Sequence, residues 1–291
     1  MNIDILIQRI RNNVINPRIA SYRLRKQFSE FFLSRFTPEE QTVSSGHIVM
    51  FHIGRSGSTV LADLLDQHPE IYWNGETFHK ISSCSIARRR VEPLFDSYPF
   101  QHLRERMRPT RSRHFGFEVK FFHLRKMKLE LENFLRGIED LGIEYFVILE
   151  RRNYLRKILS SVIGQQAGSF HRPSHTSSGS AQVYIDVDRI NIDDQVKPLL
   201  CFLNEFHEDF LRLRELLCNR KSLYLTYEDD IYDNPKVGYN KVCGFLDLHR
   251  QHDPIIRYGK TNPHHLTDMI GNFTDVQNAL SGTKFEWMLN S

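Results

Sequence analysis

A short loop of glycine, serine and arginine follows an apolar run near residue 50, and its composition suits the binding of an anion. The segment GRSGST, from Gly54 to Thr59, lies between the apolar run HIVMFHI and the helical pattern LADLL. A helix that begins after such a turn has N–H groups without acceptors, and its dipole favours negative charge there. The glycines allow close backbone approach, the hydroxyls can donate, and Arg55 adds a permanent cation. We therefore expect the amides around Gly54 to Thr59 to face an anionic ligand.

The loop lacks the lysine of a nucleoside-triphosphate site. In the phosphate loop GxxxxGK[ST], the lysine reaches the outer phosphates and the next hydroxyl binds Mg²⁺. No lysine follows Gly57. The residues thus indicate a 5′-phosphate group without a metal-bound triphosphate. A Gly/Ser turn before a helix is a weak signal alone, so a purely structural turn stays open at this point.

Histidine and cysteine are not spaced as metal ligands. The fourteen histidines form no HExxH pattern, and the four cysteines form no CxxC pair. We predict no metal, no disulfide and a reducing compartment. The net charge of +4 is mild and argues only weakly for a polyanionic partner, so no nucleic-acid partner is predicted.

Four apolar runs separated by helical segments are expected to position these groups. This alternation is typical of a mainly parallel sheet flanked by helices, so the predicted fold class is α/β with a P-loop-like nucleotide-binding architecture. The runs are His47 to Ile53, Phe115 to Phe122, Tyr145 to Glu150 and Leu223 to Tyr227, with a weaker run at Ile71 to Trp73.

Two apolar stripes repeat at steps of three and four residues and predict helix faces that pack on the core. The first consists of Leu124, Met127, Leu131, Leu135 and Ile138, and the second of Val196, Leu199, Leu203, Phe206, Phe210, Leu213 and Leu217.

The predicted organisation is an N-terminal helical extension, residues 1–46, followed by one domain, residues 47–291. The extension alternates apolar and basic residues, with too short an apolar run for a membrane span and no signal-peptide pattern. We expect a cytoplasmic protein whose extension packs on the domain, with a membrane-surface helix as the alternative. Residues 164–182 lack periodicity and predict a lid, a binding loop or a disordered segment.

Two segments, in this order, resemble the signatures of the sulfotransferase family, whose donor is 3′-phosphoadenosine 5′-phosphosulfate. RSGST, LADLL and the following His68-Pro69 are similar to the first signature: a basic-Ser-Gly-Ser/Thr-Thr loop and a helix that ends in His-Pro. VILERRNYLRKILS is similar to the second, a strand ending in arginine with a serine eight positions later, here Arg152 and Ser160. LTYEDD and the C-terminal tail also look like the family, so the resemblance covers roughly residues 47 to 291.

The resemblance implies the donor-binding residues. The loop would hold the 5′-phosphosulfate, while a guanidinium and a hydroxyl, from Arg152 and Ser160, would bind the 3′-phosphate. Tyr227 would contact adenine, and Lys260 resembles a C-terminal lysine that contacts the nucleotide. The loop residues are Arg55, Ser56, Gly57, Ser58 and Thr59.

The resemblance also implies a catalytic base. The segment HPEIYWNGE resembles the branch acting on carbohydrates and tyrosylproteins, in which a Gly-Glu supplies that base, here Glu76. A hydroxyl attacking sulfur must lose its proton, which requires a carboxylate within about 3 Å. Arg55 would stabilise charge on the departing oxygen without donating a proton. A catalytic role for Lys120 stays open, because its counterpart in the family usually follows Gly-Phe directly, and Glu118 occupies that position here.

The predicted function is transfer of a sulfuryl group from 3′-phosphoadenosine 5′-phosphosulfate to a hydroxyl acceptor, with a carbohydrate or glycolipid as the acceptor class by analogy. Two alternatives stay open. One is an inactive nucleotide-binding or scaffold relative, which would bind adenosine 3′,5′-bisphosphate without turnover. The other is a P-loop-like phosphotransferase, which would prefer ATP with magnesium.

Overall fold

A five-stranded sheet, parallel throughout, forms the centre of the molecule. The computed structural model describes residues 46–79, 98–110, 113–166, 182–248, 252–259 and 264–290. The strands of the sheet are β1 (His47–His52), β2 (Ile71–Glu76), β3 (His114–Lys120), β4 (Ile143–Glu150) and β7 (Ser222–Thr226). Their spatial order is β2-β3-β1-β4-β7. The carboxyl ends of all five strands therefore lie at one edge.

Helices cover both faces of this sheet, and a small hairpin lies beside it. The helices are α1 (Ser58–Asp66), α2 (Tyr98–Met107), α3 (Phe121–Met127), α4 (Leu131–Glu139), α5 (Tyr154–Gln166), α6 (Leu199–Leu217), α7 (Tyr227–Asp230), α8 (Lys236–Phe245), α9 (Leu266–Met269) and α10 (Phe273–Leu280). Strands β5 (Ile190–Ile192) and β6 (Gln195–Lys197) pair antiparallel in the hairpin.

Alternate residues of the buried strands face two separate cores. Val49 and Phe51 of β1 belong to the larger core, with apolar residues of α4, α5 and α6. Ile48 and Met50 belong to the smaller core, with α1 and α8. All four side chains are fully buried. A strand covered on both faces must be apolar at successive positions, which explains why HIVMF is a continuous run.

The predicted fold class is confirmed, and every predicted apolar run contributes a strand. The run at Phe115 ends earlier than predicted, because Phe121 and Phe122 begin α3. The first stripe forms two helices instead of one, since the chain turns at Lys128 with a φ of 54°. Val196 was wrongly placed on the second stripe, because Pro198 is the N-cap of α6 and Val196 lies before it in β6, half exposed.

Several predictions concern residues outside the described part of the chain. Residues 1–45, most of the 164–182 segment and Lys260 belong to this group. Among the described residues, no helix is both long and apolar enough to cross a bilayer.

Candidate active site

The loop between β1 and α1, residues 53–57, turns sharply with three residues in the left-handed region. Gly54, Arg55 and Gly57 have φ values of 78°, 56° and 79°. A Cβ on Gly57 would lie 2.5 Å from Cγ2 of Ile231 and 3.0 Å from the ring of Tyr227. Only glycine therefore suits position 57, both in backbone conformation and in space.

The N-terminus of α1 presents amides toward a cavity. The N–H groups of Val60 and Leu61 both donate to Gly57 O at 3.2 Å, so the earlier amides of this first turn have no intrahelical acceptor. The first turn contains no acidic residue. Ser58 and Thr59 line a cavity of about 800 Å³, together with Gly54 and Arg55. Uncompensated amides and the helix dipole make this end of the cavity suitable for an anion.

The amide of Gly54 is an exception to the prediction for this loop. Its N–H donates to Nδ1 of His52 at 3.0 Å. Because this donor is already used inside the protein, the expectation that the Gly54 amide faces a ligand was wrong. The adjacent Ser56 is also turned inward: its side chain is fully buried, and its hydroxyl has no hydrogen-bond partner among the described residues.

Arg55 joins the loop to helix α5. Its Nε donates to Oγ of the buried Ser160 at 2.9 Å, so the structure brings together one residue from each of the two signatures. Burial and the neighbouring charge of Arg151 lower the pKa of Arg55 to about 10. The guanidinium therefore stays charged at neutral pH.

Glu76 and Lys120 form an ion pair in the same cavity. They end the neighbouring strands β2 and β3, and Nζ of Lys120 lies 2.7 Å from Oε1 of Glu76. A Cβ on Gly54 would lie 3.4 Å from Cε of Lys120, so the lysine stem passes beside the loop. Burial raises the pKa of Glu76, but the charge of Lys120 and its hydrogen bond outweigh burial and lower the pKa to about 2. Glu76 is thus an ionised carboxylate.

A β-bulge at the end of β2 places Glu76 in this position. Trp73 pairs with Gly116 and Glu76 with Glu118, so three steps on β2 match two steps on β3. Gly75, with a φ of 73°, lies inside the irregular stretch. An extra residue of this kind redirects the following side chain and is common beside active sites.

Glu118, which the sequence analysis treated only as a departure from the family pattern, is a buried carboxylate with two partners. Nε1 of Trp73 donates to Oε1 at 3.1 Å, and Nε2 of His52 lies 3.2 Å from Oε2. Since Nδ1 of His52 accepts from Gly54, its proton must be on Nε2 and face Glu118. A charged residue inside an apolar strand was the available sequence signal for this network.

Arg152 lies apart from the cavity, at an acidic surface. Its Nη2 is 2.6 Å from Oδ1 of Asp229, and its backbone N–H donates to Glu228 at 3.0 Å. Its side chain is about half exposed, and it is absent from the described residues that line the cavity. The preceding residue, Arg151, is the buried one, and it faces the β1–α1 loop.

Tyr227 begins α7 and packs behind the loop instead of lining the cavity. Its ring lies against Gly57, and the guanidinium of Arg151 is 4.4 Å from the ring centroid. Its predicted adenine contact, like the roles of Arg152 and Ser160, stays a prediction.

No family model matches the chain, and no curated protein matches it. A solved structure that matches is that of a sulfotransferase from Alicyclobacillus acidocaldarius, with a TM-score of 0.45 and 12% identity over 85% of this chain and 96% of that one.

The other described residues that line the cavity are mostly polar in type. They are Ile53, Asn74, Thr77, His79, His102, Arg106, Phe122, Lys126, Ser161, Gln165, Asp193 and Asp194. The two aspartates form the tip of the β5–β6 hairpin, where Asp193 pairs with the buried Lys157 and Asp194 with Lys126. These ion pairs hold the tip of the hairpin against the cavity.

Two sets of side chains bring metal-ligand atoms within 4.8 Å of one another. They are Glu76 with His79 and His123, and Glu76 with His52 and Glu118. In the second set, His52 and Glu118 already contact each other. In the first set, burial lowers the pKa of His123 to about 3, so its ring is neutral and able to coordinate. The prediction that no metal is used stays a prediction.

Proposed function

We propose that this protein is a sulfotransferase that moves the sulfuryl group of 3′-phosphoadenosine 5′-phosphosulfate to a hydroxyl acceptor. The observation that carries the proposal is the Glu76–Lys120 pair, which shares one cavity with the N-terminus of α1. A carboxylate for the acceptor proton and donors for an anion are the two groups that this chemistry requires.

In the proposed reaction, the acceptor oxygen forms a bond to sulfur while the bond from sulfur to the bridging phosphate oxygen breaks. Glu76 takes the acceptor proton, and adenosine 3′,5′-bisphosphate leaves. The amides of Ser58 and Thr59, the guanidinium of Arg55 and the ammonium of Lys120 stabilise the charge that develops on the leaving oxygen. No step depends on a metal.

Lys120 has a second effect in this mechanism. It keeps Glu76 ionised in the free protein, where a pKa of about 2 makes the carboxylate a weak base. A bound donor brings negative charge next to Lys120 and reduces its effect on Glu76. The pKa of Glu76 then rises, because burial favours the protonated form. Donor binding thereby strengthens the base when it is needed.

The remaining donor contacts and the acceptor class are further parts of the proposal. Arg152 and Ser160 are proposed to bind the 3′-phosphate, which requires Arg152 to exchange its contact with Asp229 for the ligand. Tyr227 and Lys260 are proposed to contact the nucleotide. The polar side chains in the cavity, such as Asn74, Thr77 and Gln165, support a hydroxyl-rich acceptor such as a carbohydrate or the head of a glycolipid.

The test is transfer of label from radiolabelled donor to a panel of saccharides, glycolipids and phenols, with calorimetric titration of nucleotides alongside. We expect transfer to a hydroxyl-rich acceptor and tighter binding of adenosine 3′,5′-bisphosphate than of ATP with magnesium. Binding of the bisphosphate without transfer to any acceptor would favour an inactive relative. Preference for ATP with magnesium would favour a phosphotransferase.

A further inference from the structure

One residue of the β1–α1 loop has a backbone conformation that its type does not favour. Arg55 has a φ of 56°, a region that residues with a Cβ adopt at a cost. Gly54 and Gly57 on either side are also left-handed. Such a backbone persists when surrounding contacts hold it. Two buried side chains, one from β1 and one that follows β4, supply these contacts.

Arg151 holds the middle of the loop. It is 8% exposed, and its Nη1 donates to the carbonyl oxygen of Arg55 at 2.8 Å. Its guanidinium lies over the ring of Tyr227, which in turn packs against Gly57. One side chain thereby fixes the carbonyl of the left-handed residue and supports the ring behind the N-cap of α1.

His52 holds the beginning of the loop. Its Nδ1 accepts from the Gly54 amide at 3.0 Å, and its Nε2 faces Glu118, which Trp73 also contacts. The ring is fully buried. Because Nδ1 accepts from Gly54, the ring proton is on Nε2, which lies 3.2 Å from Oε2 of Glu118. This network specifies where the loop leaves the strand.

We propose that Arg151 and His52 are positioning residues that hold the β1–α1 loop in its anion-binding form. They act through Arg55 and Gly54, and they affect the 5′ end of the donor regardless of the 3′-phosphate. Arg152, the adjacent arginine, is proposed to act only on the 3′-phosphate. The identity of the ligand rests on the proposed function, whereas the holding of the loop does not.

Hydrogen exchange in the ligand-free protein tests the proposal directly. Arg151→Met is expected to speed amide exchange across residues 53–57 by about tenfold, since one hydrogen bond to a charged group is lost. Arg152→Met is the matched control, because it removes an exposed arginine at the next position, and it should leave the loop's exchange unchanged. Equal exchange in Arg151→Met and the unaltered protein would overturn the proposal.

A second pair of variants covers the case in which Arg151→Met does not fold. His52→Leu removes the acceptor for Gly54 and should speed its exchange, whereas His52→Asn offers an oxygen near the position of Nδ1 and should restore slow exchange. If the Gly54 amide exchanges slowly in both variants, the proposal is overturned as well.

Nucleotide titration separates positioning from a general loss of stability. Arg151→Met should lower the affinities for adenosine 3′,5′-bisphosphate and adenosine 5′-phosphosulfate by the same factor, about tenfold. Arg151→Lys should recover part of both affinities. Arg152→Met should lower the affinity for the 3′-phosphorylated nucleotide only. If Arg151→Met lowers the affinity for the bisphosphate alone, the proposal that Arg151 positions the loop is wrong. If the unaltered protein binds neither nucleotide, the proposed function is wrong, and the exchange experiment still decides on the loop.

Discussion

Nζ of Lys120 lies 2.7 Å from Oε1 of Glu76, although the two residues are 44 positions apart in the chain and end different strands. Their meeting depends on the pairing of β2 with β3 and on the bulge before Glu76. The pair joins a carboxylate to a cation beside the loop at the N-terminus of α1. The first predictions concern these two residues.

Glu76→Gln is expected to reduce turnover by about two orders of magnitude, as for loss of a general base. The amide is similar in size and cannot take the acceptor proton, so the affinity for adenosine 3′,5′-bisphosphate should be retained. Steady-state rates and calorimetric titration measure the two effects. Glu70→Gln, at an exposed position before β2, is the control. Unchanged turnover in Glu76→Gln would remove this residue from the mechanism.

Lys120→Met is expected to raise the pKa of Glu76. Burial alone raises this pKa, and Lys120 contributes the largest opposing charge. Carbon-13 NMR of the glutamate carboxyls, assigned with Glu76→Gln, should show a midpoint near 2 in the unaltered protein and a higher midpoint in the variant. A midpoint that does not move would show that Lys120 is not the group that holds Glu76 ionised.

The same pair makes stability depend on pH. The folded pKa of Glu76 lies below its ordinary value of 4.5, so its ionised form stabilises the fold above that pH, and the contribution is lost as pH falls toward 2. The stability difference between the unaltered protein and Lys120→Met should therefore shrink between pH 5 and 2. Urea unfolding across this range measures it, and a constant difference would contradict the assignment.

Gly57→Ala is expected to destabilise the protein more than Gly282→Ala does. Both glycines have positive φ, 79° and 71°, so both variants carry backbone strain. An added Cβ at Gly57 also meets Ile231 at 2.5 Å, whereas at Gly282 nothing lies within 4 Å. The difference in unfolding free energy should be about 1–3 kcal/mol, the usual range for overpacking. Equal losses would show that the contact with Ile231 relaxes freely.

Much of the fold was predictable because its strands are buried on both faces. Continuous apolar runs such as His47 to Phe51 reveal such strands directly, and the glycines of the following loop reveal its turn. The break at Lys128 was missed because the apolar spacing of the helix face continues unchanged from α3 into α4. A stripe of this kind reports which residues are buried and does not report where the backbone turns.

The site was less predictable, because its contacts join distant segments. Arg151 and Arg152 are identical in type and adjacent, yet one is buried against the loop and the other contacts Asp229 at the surface. Their sequence alone cannot distinguish them. The pairing of Glu76 with Lys120 likewise required the register of two strands and a one-residue bulge.

Trp73→Phe tests the buried network that ends at the loop. The change keeps an aromatic ring in the smaller core and removes the Nε1 donor to Glu118. A buried carboxylate left without this donor should lower the unfolding free energy by about 1–3 kcal/mol. Trp287→Phe, at the chain's other tryptophan, which is about half exposed, should change it by less than about 0.5 kcal/mol. Oε2 of Glu118 lies 3.2 Å from Nε2 of His52, whose Nδ1 accepts from Gly54. Trp73→Phe should therefore further speed exchange of the Gly54 amide, and Trp287→Phe should not. A loss of stability with slow exchange at Gly54 would confine the role of Trp73 to packing.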